Sequence, residues 1–367
     1  MPHIHDLATT LHDFDDAWLE PRAALQVRGI RRAAERLRER FAGGARCIAV
    51  RTLELATLPY PSRFAFQGAA LSPAPFVVMT HRALLVQFLR RGQLKTLLFN
   101  PTDVVAARET PYFARLRASM PEMAERLVAR IEAPIVEQLA KLSIRPEDID
   151  YIAYDHFHTQ DLRPILGTTD GHYAARFPNA RLLAPAAEWE AFEDPHPMQR
   201  AWLIAQGRTN ISPDRVVLTR TDLQLGDGVL LLRTPGHTIG NQTLFVATDT
   251  GVWGTSENGT CVDNYSPHES QIPGVSATAR TLDLDVLMNS NTPELGARHY
   301  ASMLLEKTLV CRVARAPGFV QMLSSSEVTP HRIAPGLSPT LIHGAITSGS
   351  LVIPRREWPL SHGSPAT

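Results

Sequence analysis

Apolar positions recur with two different periods in the first third of the chain. Between Gly29 and Phe41 they stand three and four residues apart, which predicts an amphipathic helix. Glutamates alternate with the arginines of this helix, so we interpret its outer face as solvated rather than as a nucleic-acid or membrane contact. From Cys47 to Val105 short apolar runs and a period of two predict antiparallel strands. The predicted strands are 47–53, 76–79, 83–88 and 94–99, with a hairpin turn at 90–93.

Beyond this meander the pattern predicts one long helix and then short strands. The helix is predicted from Ser119 to Leu142, and Pro134 should kink or split it. Further helices are predicted at 186–192 and 299–314. The later strands are predicted at 151–154, 180–185, 216–219, 229–234, 242–247, 251–255 and 340–343.

The order of these elements predicts one large domain with additions. We expect an N-terminal helical extension over residues 1–45, a domain of the α/β class over 46–350, and a C-terminal tail over 351–367. Turn-rich or polar stretches near 100–118 and 258–335 are interpreted as insertions that shape a pocket or a subunit contact, so a homodimer is one of the expectations.

Composition excludes several classes of protein. The 367 residues include 37 basic and 37 acidic side chains, so no net field favours nucleic acid or an anionic membrane. Three cysteines are too few for a disulfide framework or a four-cysteine zinc site. The first residues lack the pattern of a secretory signal, and no apolar run approaches the roughly 18 residues of a membrane span. We therefore expect a cytoplasmic protein.

Metal-capable side chains follow four of the predicted strands. The alternating His156 and His158 come directly after the strand at 151–154, and an extended backbone places both imidazoles on the same side. Two such nitrogens are the simplest pair of ligands for one metal ion. Asp161 follows in the same loop, and the candidates at the other three strand ends are His237, Glu257 and His343.

Several motifs in a fixed order resemble one known family. They are Pro146-Glu-Asp-Ile-Asp150, His156-Phe-His-Thr-Gln-Asp161, Phe177-Pro-Asn-Ala180, Glu188-Trp-Glu190, Thr234-Pro-Gly-His-Thr238 and Ile342-His-Gly344. Over about residues 76–350 the chain resembles the metallo-β-lactamase superfamily, and in particular its lactonase-like hydrolases. The resemblance implies an αββα sandwich with a binuclear metal site at one edge.

By this resemblance, two metal ions would have separate ligand sets. His156, His158 and His237 would bind the first ion. Asp161 and His343 would bind the second, with the Glu257 carboxylate bridging or ligating it. The family's first motif is His-x-His-x-Asp-His, whereas this chain has Gln160 in place of its aspartate and Asp161 in place of its last histidine. Glu257 stands where the family has an aspartate.

The resemblance implies a metal-dependent hydrolase in which a metal-activated water attacks an ester, lactone or related bond of a small molecule. Asp161 and Glu257 are assigned as its catalytic carboxylates, and Gln160 and Tyr265 are assigned to substrate binding. One or two divalent ions are expected. Zinc is favoured, and the oxygen-rich second set makes iron or manganese the alternatives. Two other functions stay open, namely a di-iron or mononuclear-iron redox enzyme and a metal-depleted protein that binds a ligand.

Overall fold

Two β-sheets lie face to face between outer layers of helices in the computed structural model, which describes residues 4–119, 121–331 and 337–354. The strands are β1 Thr9–Leu11, β2 Ala49–Pro61, β3 Phe76–Arg90, β4 Gln93–Phe99, β5 Tyr151–Ala153, β6 Arg181–Pro185, β7 Val216–Thr219, β8 Asp222–Gly226, β9 Val229–Arg233, β10 Gln242–Thr248, β11 Gly251–Ser256, β12 Arg312–Val313, β13 Ala316–Val320, β14 Met322–Ser324, β15 Ser326–Thr329 and β16 Thr347–Gly349. The helices are α1 Ile4–Leu7, α2 Asp15–Leu19, α3 Ala23–Ala42, α4 Ser62–Ala65, α5 Val104–Ala107, α6 Pro111–Ala118, α7 Glu122–Val128, α8 Ile135–Lys141, α9 Arg163–Leu166, α10 Ala186–Glu193, α11 Val262–Tyr265, α12 Val275–Leu282 and α13 Gly296–Leu309.

The two sheets share one apolar core. The first has the strand order β1-β8-β9-β10-β11-β14, and the second has the order β16-β2-β3-β4-β5-β6-β7, with β15 paired to β3. Along each strand, side chains that face the other sheet alternate with side chains that face outward. Every second side chain therefore enters the space between the two sheets. Val86 and Leu97 of the second sheet pack there with Leu231 and Leu244 of the first.

Helices cover both outer faces and complete the four layers. α3 and α13 pack together on the first sheet, where Ile30 and Leu304 share a buried cluster with Phe245. α8, α9 and α10 cover the second sheet. Helix α3 contains the predicted segment 29–41, and its buried residues have the predicted helical spacing. The architecture is an αββα sandwich, as predicted.

The segment predicted as an N-terminal extension packs onto the sandwich. α3 belongs to the outer layer, and β1 pairs antiparallel with β8 at the edge of the first sheet. The boundaries of the predicted division at residues 45 and 350 stay a prediction. Most of the predicted tail, residues 355–367, lies outside the described residues.

The two strands predicted at 76–79 and 83–88 are one continuous strand, β3. The prediction of a break was wrong because the polar residues between them find partners within the sheets. Thr80 bonds to Thr329, His81 bonds to Ser326, and Arg82 forms a buried ion pair with Glu327. The hairpin between β3 and β4 is confirmed, with Arg91 and Gly92 at positive φ.

The predictions were least accurate in the last third of the chain. No strand forms at 340–343, and the last strand is β16, which pairs with β2. The range 258–335, predicted as an insertion, contains strands that complete both sheets, because β14 pairs with β11 and β15 pairs with β3. Their pairing partners are 68 or more residues away in sequence, so local periodicity does not show them.

Pro134 splits the long helix predicted at 119–142, as expected. α7 ends at Val128, and Pro134 stands directly before α8. At that position the missing N–H of proline removes no hydrogen bond of the helix. Met120 and the side chains of Met123 and Leu127, which belonged to this prediction, lie outside the described residues. Among the described residues, no helix is both long enough and apolar enough to cross a bilayer.

Candidate metal centre

Three histidines converge at one edge of the sandwich. His156 and His158 follow the end of β5, and His237 lies in the loop between β9 and β10. One nitrogen from each ring lies within 4.8 Å of those from the other two, and the ring centroids are 4.5–4.9 Å apart. All three residues are buried. We call His156, His158 and His237 the triad.

Glu188 of α10 joins the two loops that carry the triad. Its carboxylate accepts the backbone N–H of Phe157 at 2.8 Å, the hydroxyl of Thr238 at 2.7 Å and the backbone N–H of Gly240 at 3.1 Å. A Cβ at Gly240 would lie 2.3 Å from the backbone nitrogen of Glu188, so only glycine allows this approach. One buried carboxylate therefore fixes the separation of the two loops.

Asp155 fixes the orientation of His156. Its Oδ1 accepts from Nδ1 of His156 at 2.7 Å, and its Oδ2 is bonded by the side chains of Asn100 and Ser325. Burial acts to raise the pKa of Asp155, but its contacts with His156 and Ser325 outweigh burial and lower it. Asp155 is thus an ionised acceptor for the Nδ1–H of His156, which leaves Nε2 as the ring nitrogen available to a metal.

Gln199 does the same for His158 from the opposite side. Its amide nitrogen donates to the carbonyl oxygen of His237 and to Glu294, so its oxygen must be the atom that faces Nε2 of His158. Nε2 of His158 therefore carries the proton. Nδ1 keeps its lone pair and lies 3.1 Å from Nε2 of His237.

Two rings of the triad, His158 and His237, are held in their neutral form. Burial, followed by the proximity of His156, lowers the pKa of both His158 and His237 well below the usual range of histidine. Nδ1 of His237 is buried and has no hydrogen-bond partner among the described residues. Ring nitrogens that the neighbouring residues leave free are the donors that divalent transition metals require. The triad fits one such ion.

Glu257 and Gln160 line the same cavity as the triad. The Glu257 carboxylate accepts the backbone N–H of Ser326 at 2.8 Å, and burial, with the charge of Asp155 second, raises its pKa well above the usual range. The Gln160 side chain donates to the hydroxyl of Thr102 at 2.9 Å. The structure thus brings these two predicted residues to the triad.

The other predicted site residues lie elsewhere. Asp161 accepts from the backbone N–H, Nε and Nη2 of Arg163 at 2.7–3.1 Å. His343 lies against the Trp253 ring, 5.0 Å between centroids, and donates from Nε2 to the carbonyl oxygen of Val320. We call Asp161 and His343 the outlying pair, because neither lines the cavity.

Tyr265 also lies outside the cavity lining. It is fully buried, and its hydroxyl donates to Glu306 at 2.9 Å. Burial raises its pKa well above the usual range of tyrosine. Tyr265 is a core residue at the end of α11, in the buried cluster that also contains Phe245 and Leu304.

Sequence reasoning missed four polar residues at the site. Asp155 and Gln199 orient the triad, and His81 and Ser326 line the cavity beside it. A signal existed for Asp155, since a carboxylate directly before a metal-capable histidine can reach its Nδ1. The other three come from distant segments, and their sequence surroundings show nothing about the site.

One wall of the cavity is apolar. It includes Phe113 and Leu116 of α6, and Trp202, whose ring stacks on Tyr112 at 4.1 Å between centroids. α6 lies in the stretch near 100–118 that was predicted as an insertion shaping a pocket. The cavity therefore joins a polar end, which contains the triad, to an apolar end.

Comparisons with known proteins found similarity only among solved structures. No family model matches the chain, and no curated protein matches it. A probable metal-dependent hydrolase from Staphylococcus aureus is 14% identical, with a TM-score of 0.48 over 70% of this chain and 83% of its own. AidC, a dizinc quorum-quenching lactonase, is 13% identical, with a TM-score of 0.49 over 79% and 92%. The hydrolase AbOPH of the beta-lactamase superfamily is 17% identical, with a TM-score of 0.40 over 65% and 85%. The function is therefore argued from the residues of the site.

Proposed function

We propose that this protein is a metal-dependent hydrolase of the metallo-β-lactamase type that cleaves an ester, lactone or related bond in a small molecule. The observation that carries the proposal is the triad, with one ring nitrogen from each of three histidines within 4.8 Å of the others in a cavity. Three histidine ligands with a further coordination position open to the cavity are typical of catalytic zinc sites.

The proposal favours one metal ion, with zinc first and iron or manganese as alternatives. His156, His158 and His237 would hold it, with Asp155 and Gln199 behind them. A second ion would need the outlying pair, whose polar atoms are already bonded within the protein. The binuclear centre implied by the resemblance is thus less well supported than a mononuclear one.

A bound divalent ion would polarise the scissile carbonyl and lower the pKa of a water molecule. Glu257 is the better candidate for the catalytic carboxylate, because it faces the cavity while Asp161 is bonded by Arg163. There it could exchange a proton with the leaving oxygen of the substrate. The apolar wall made by Phe113, Leu116 and Trp202 would accept a hydrocarbon part of the substrate.

The test uses the full chain and a matched pair of histidine variants. Metal content is measured by elemental analysis, and hydrolysis is assayed on a panel of aryl esters and lactones. We expect about one equivalent of zinc, with activity lost in His158→Ala and kept in His172→Ala, since His172 is an exposed loop residue. Iron with a visible absorption band would favour the redox alternative. A folded protein that binds no metal would overturn the proposal and favour the ligand-binding alternative.

Compartment and assembly belong to the same proposal. We place the protein in the cytoplasm, in line with the unpaired state of Cys47, Cys261 and Cys311. A homodimer stays a prediction, which the elution volume and light scattering of the purified chain would test.

A further inference from the structure

Four polar side chains form a continuous hydrogen-bonded series along the cavity beside the triad. Nε2 of Gln160 lies 2.9 Å from Oγ1 of Thr102, which lies 2.8 Å from Nε2 of His81. Nδ1 of His81 lies 3.0 Å from Oγ of Ser326. All four residues line the cavity, and they come from four separate segments of the chain. We call this series the relay.

The direction of the relay is set at Gln160. The same side-chain atom of Gln160 contacts both Thr102 and the backbone carbonyl oxygen of His158, at 3.2 Å. A carbonyl oxygen only accepts hydrogen bonds, so this atom must be the amide nitrogen. Gln160 is therefore a donor to the Thr102 hydroxyl.

The donor at Gln160 determines the tautomer of His81. Because Thr102 accepts from Gln160, its own proton can go to Nε2 of His81. If Nε2 carried a proton instead, Thr102 would accept twice, and the described residues offer no other acceptor for its own hydroxyl proton. Burial lowers the pKa of His81 to about 4, so the ring is neutral and carries one proton. That proton is then on Nδ1, which donates to Ser326.

Ser326 ends the relay at the cavity. Its oxygen accepts from His81, so its own proton points away from His81. The Glu257 carboxylate accepts the Ser326 backbone N–H, is also the hydrogen-bond partner of this hydroxyl, and faces the cavity. With Nδ1 of His81 protonated, His81 is not a base for Ser326. The arrangement makes Ser326 a hydrogen-bond donor rather than an activated nucleophile.

We propose that Gln160, Thr102 and His81 are positioning residues that hold the Ser326 hydroxyl as a donor, which transfers its hydrogen bond from Glu257 to an oxygen of the substrate when substrate binds. The nature of that oxygen, a carbonyl or leaving-group oxygen, rests on the proposed hydrolase function. The direction of the relay does not. A donor fixed before the reaction stabilises negative charge that develops on such an oxygen without reorganising.

The direction is tested by the tautomer of His81. Nitrogen NMR of the full chain labelled with ¹⁵N-histidine distinguishes a protonated from an unprotonated ring nitrogen, and loss of the signals in His81→Asn assigns them. We expect protonated Nδ1 and bare Nε2 in the wild type and in Thr102→Ser, which keeps the hydroxyl. In Thr102→Val, Nε2 loses its donor, so we expect the nitrogen signal of Nε2 to shift while Nδ1 keeps its proton and its bond to Ser326. The Nε2–H tautomer in the wild type, or an Nε2 signal unaffected by Thr102→Val, would overturn the relay.

Contact with substrate is tested by kinetics. In Ser326→Ala we expect kcat to fall about 100- to 1,000-fold with KM little changed, the usual cost of one oxyanion donor. Ser326→Thr should keep most of kcat, and both variants should keep the wild-type metal content. A wild-type kcat in Ser326→Ala would exclude Ser326 as the donor. If the protein hydrolysed no ester or lactone, the hydrolase proposal would fail, while the NMR result would still decide the direction of the relay.

Discussion

The triad and the outlying pair contain the same kinds of metal-binding residue but differ in which polar atoms are already bonded. In the triad, Asp155 and Gln199 bond the far nitrogens of His156 and His158 and leave the near ones free. In the outlying pair the free atoms are used within the protein, both carboxylate oxygens of Asp161 by Arg163 and Nε2 of His343 by Val320. A metal ligand is thus recognised by the atoms that its neighbours leave free rather than by residue type alone.

Replacing one histidine in each region should give the largest difference in Zn²⁺ affinity between the triad and the outlying pair. His237→Ala leaves two ring nitrogens of the triad, and we expect its affinity for Zn²⁺ to fall more than about 100-fold, beyond the usual cost of losing an outer-sphere partner. His343→Ala should keep the wild-type affinity. Competition with a chromophoric chelator measures both variants. An equal loss in His343→Ala would place the outlying pair in the metal centre.

Changing the aspartate beside the triad and the aspartate of the outlying pair should give a smaller difference in Zn²⁺ affinity in the same direction. Asp155→Asn weakens the bond that orients His156, so we expect Zn²⁺ affinity to fall about 10- to 100-fold. Asp161→Asn is the matched control and should bind zinc as the wild type does. The same chelator competition applies, and a larger loss in Asp161→Asn than in Asp155→Asn would reverse the comparison.

Asp161→Asn should instead lower the stability of the fold. Losing the carboxylate leaves the Arg163 guanidinium without its counter-charge. The Arg163 side chain is 21% exposed, so water compensates part of the loss. We expect the free energy of unfolding in urea to fall by about 1–2 kcal/mol, less than for a fully buried pair. An unchanged urea midpoint would show that the ion pair contributes nothing to stability.

The smallest expected effect is on the pH dependence of stability through His343. Burial lowers the pKa of His343 to about 4, from about 6.5 for a histidine in the unfolded chain. The unfolded chain then binds the extra proton first, so this group's contribution to stability is present above pH 6.5 and is lost as the pH falls towards 4. Asparagine does not titrate in this range. In His343→Asn the free energy of unfolding should therefore fall by about 1 kcal/mol less between pH 7 and pH 4.5 than in the wild type, a figure that allows for the partial exposure of His343.

Chelation shows whether that contribution is structural. Thermal unfolding of the wild type and His343→Asn is compared at pH 7 and pH 4.5, with and without EDTA. We expect the difference between the two proteins to be the same in both solutions. A difference that disappears in EDTA would mean that metal, rather than burial, keeps His343 unprotonated.

Much of the fold could be predicted from the sequence because its signals are local. The spacing of Ile30 and Leu37 predicts α3, Pro134 predicts the break before α8, and Gly92 predicts the hairpin. What could not be predicted depends on pairing between distant segments. The polar residues around His81 indicated a gap between two strands until β15 supplied their partners.

The site residues show the same difference between local sequence signals and contacts with distant segments. His156 and His158 were found because an alternating pair after a strand carries its geometry in the sequence. The resemblance placed His343 at the same centre, but its contact with Trp253 joins segments about 90 residues apart, and no local pattern shows it. Asp161 is different, because its partner Arg163 is only two residues away and the pairing could have been anticipated.

The pairing of β15 with β3 places His81 beside Ser326, 245 residues later in the chain. Closing so long a loop is entropically costly, and contacts of such large sequence separation tend to form late in folding. A chain emerging from the ribosome could assemble the hairpin β3–β4 and the first histidine loop well before residue 326 exists. The complete cavity therefore appears only after β15 has been synthesised, and a chain shortened before β15 would lack Ser326 in the cavity lining.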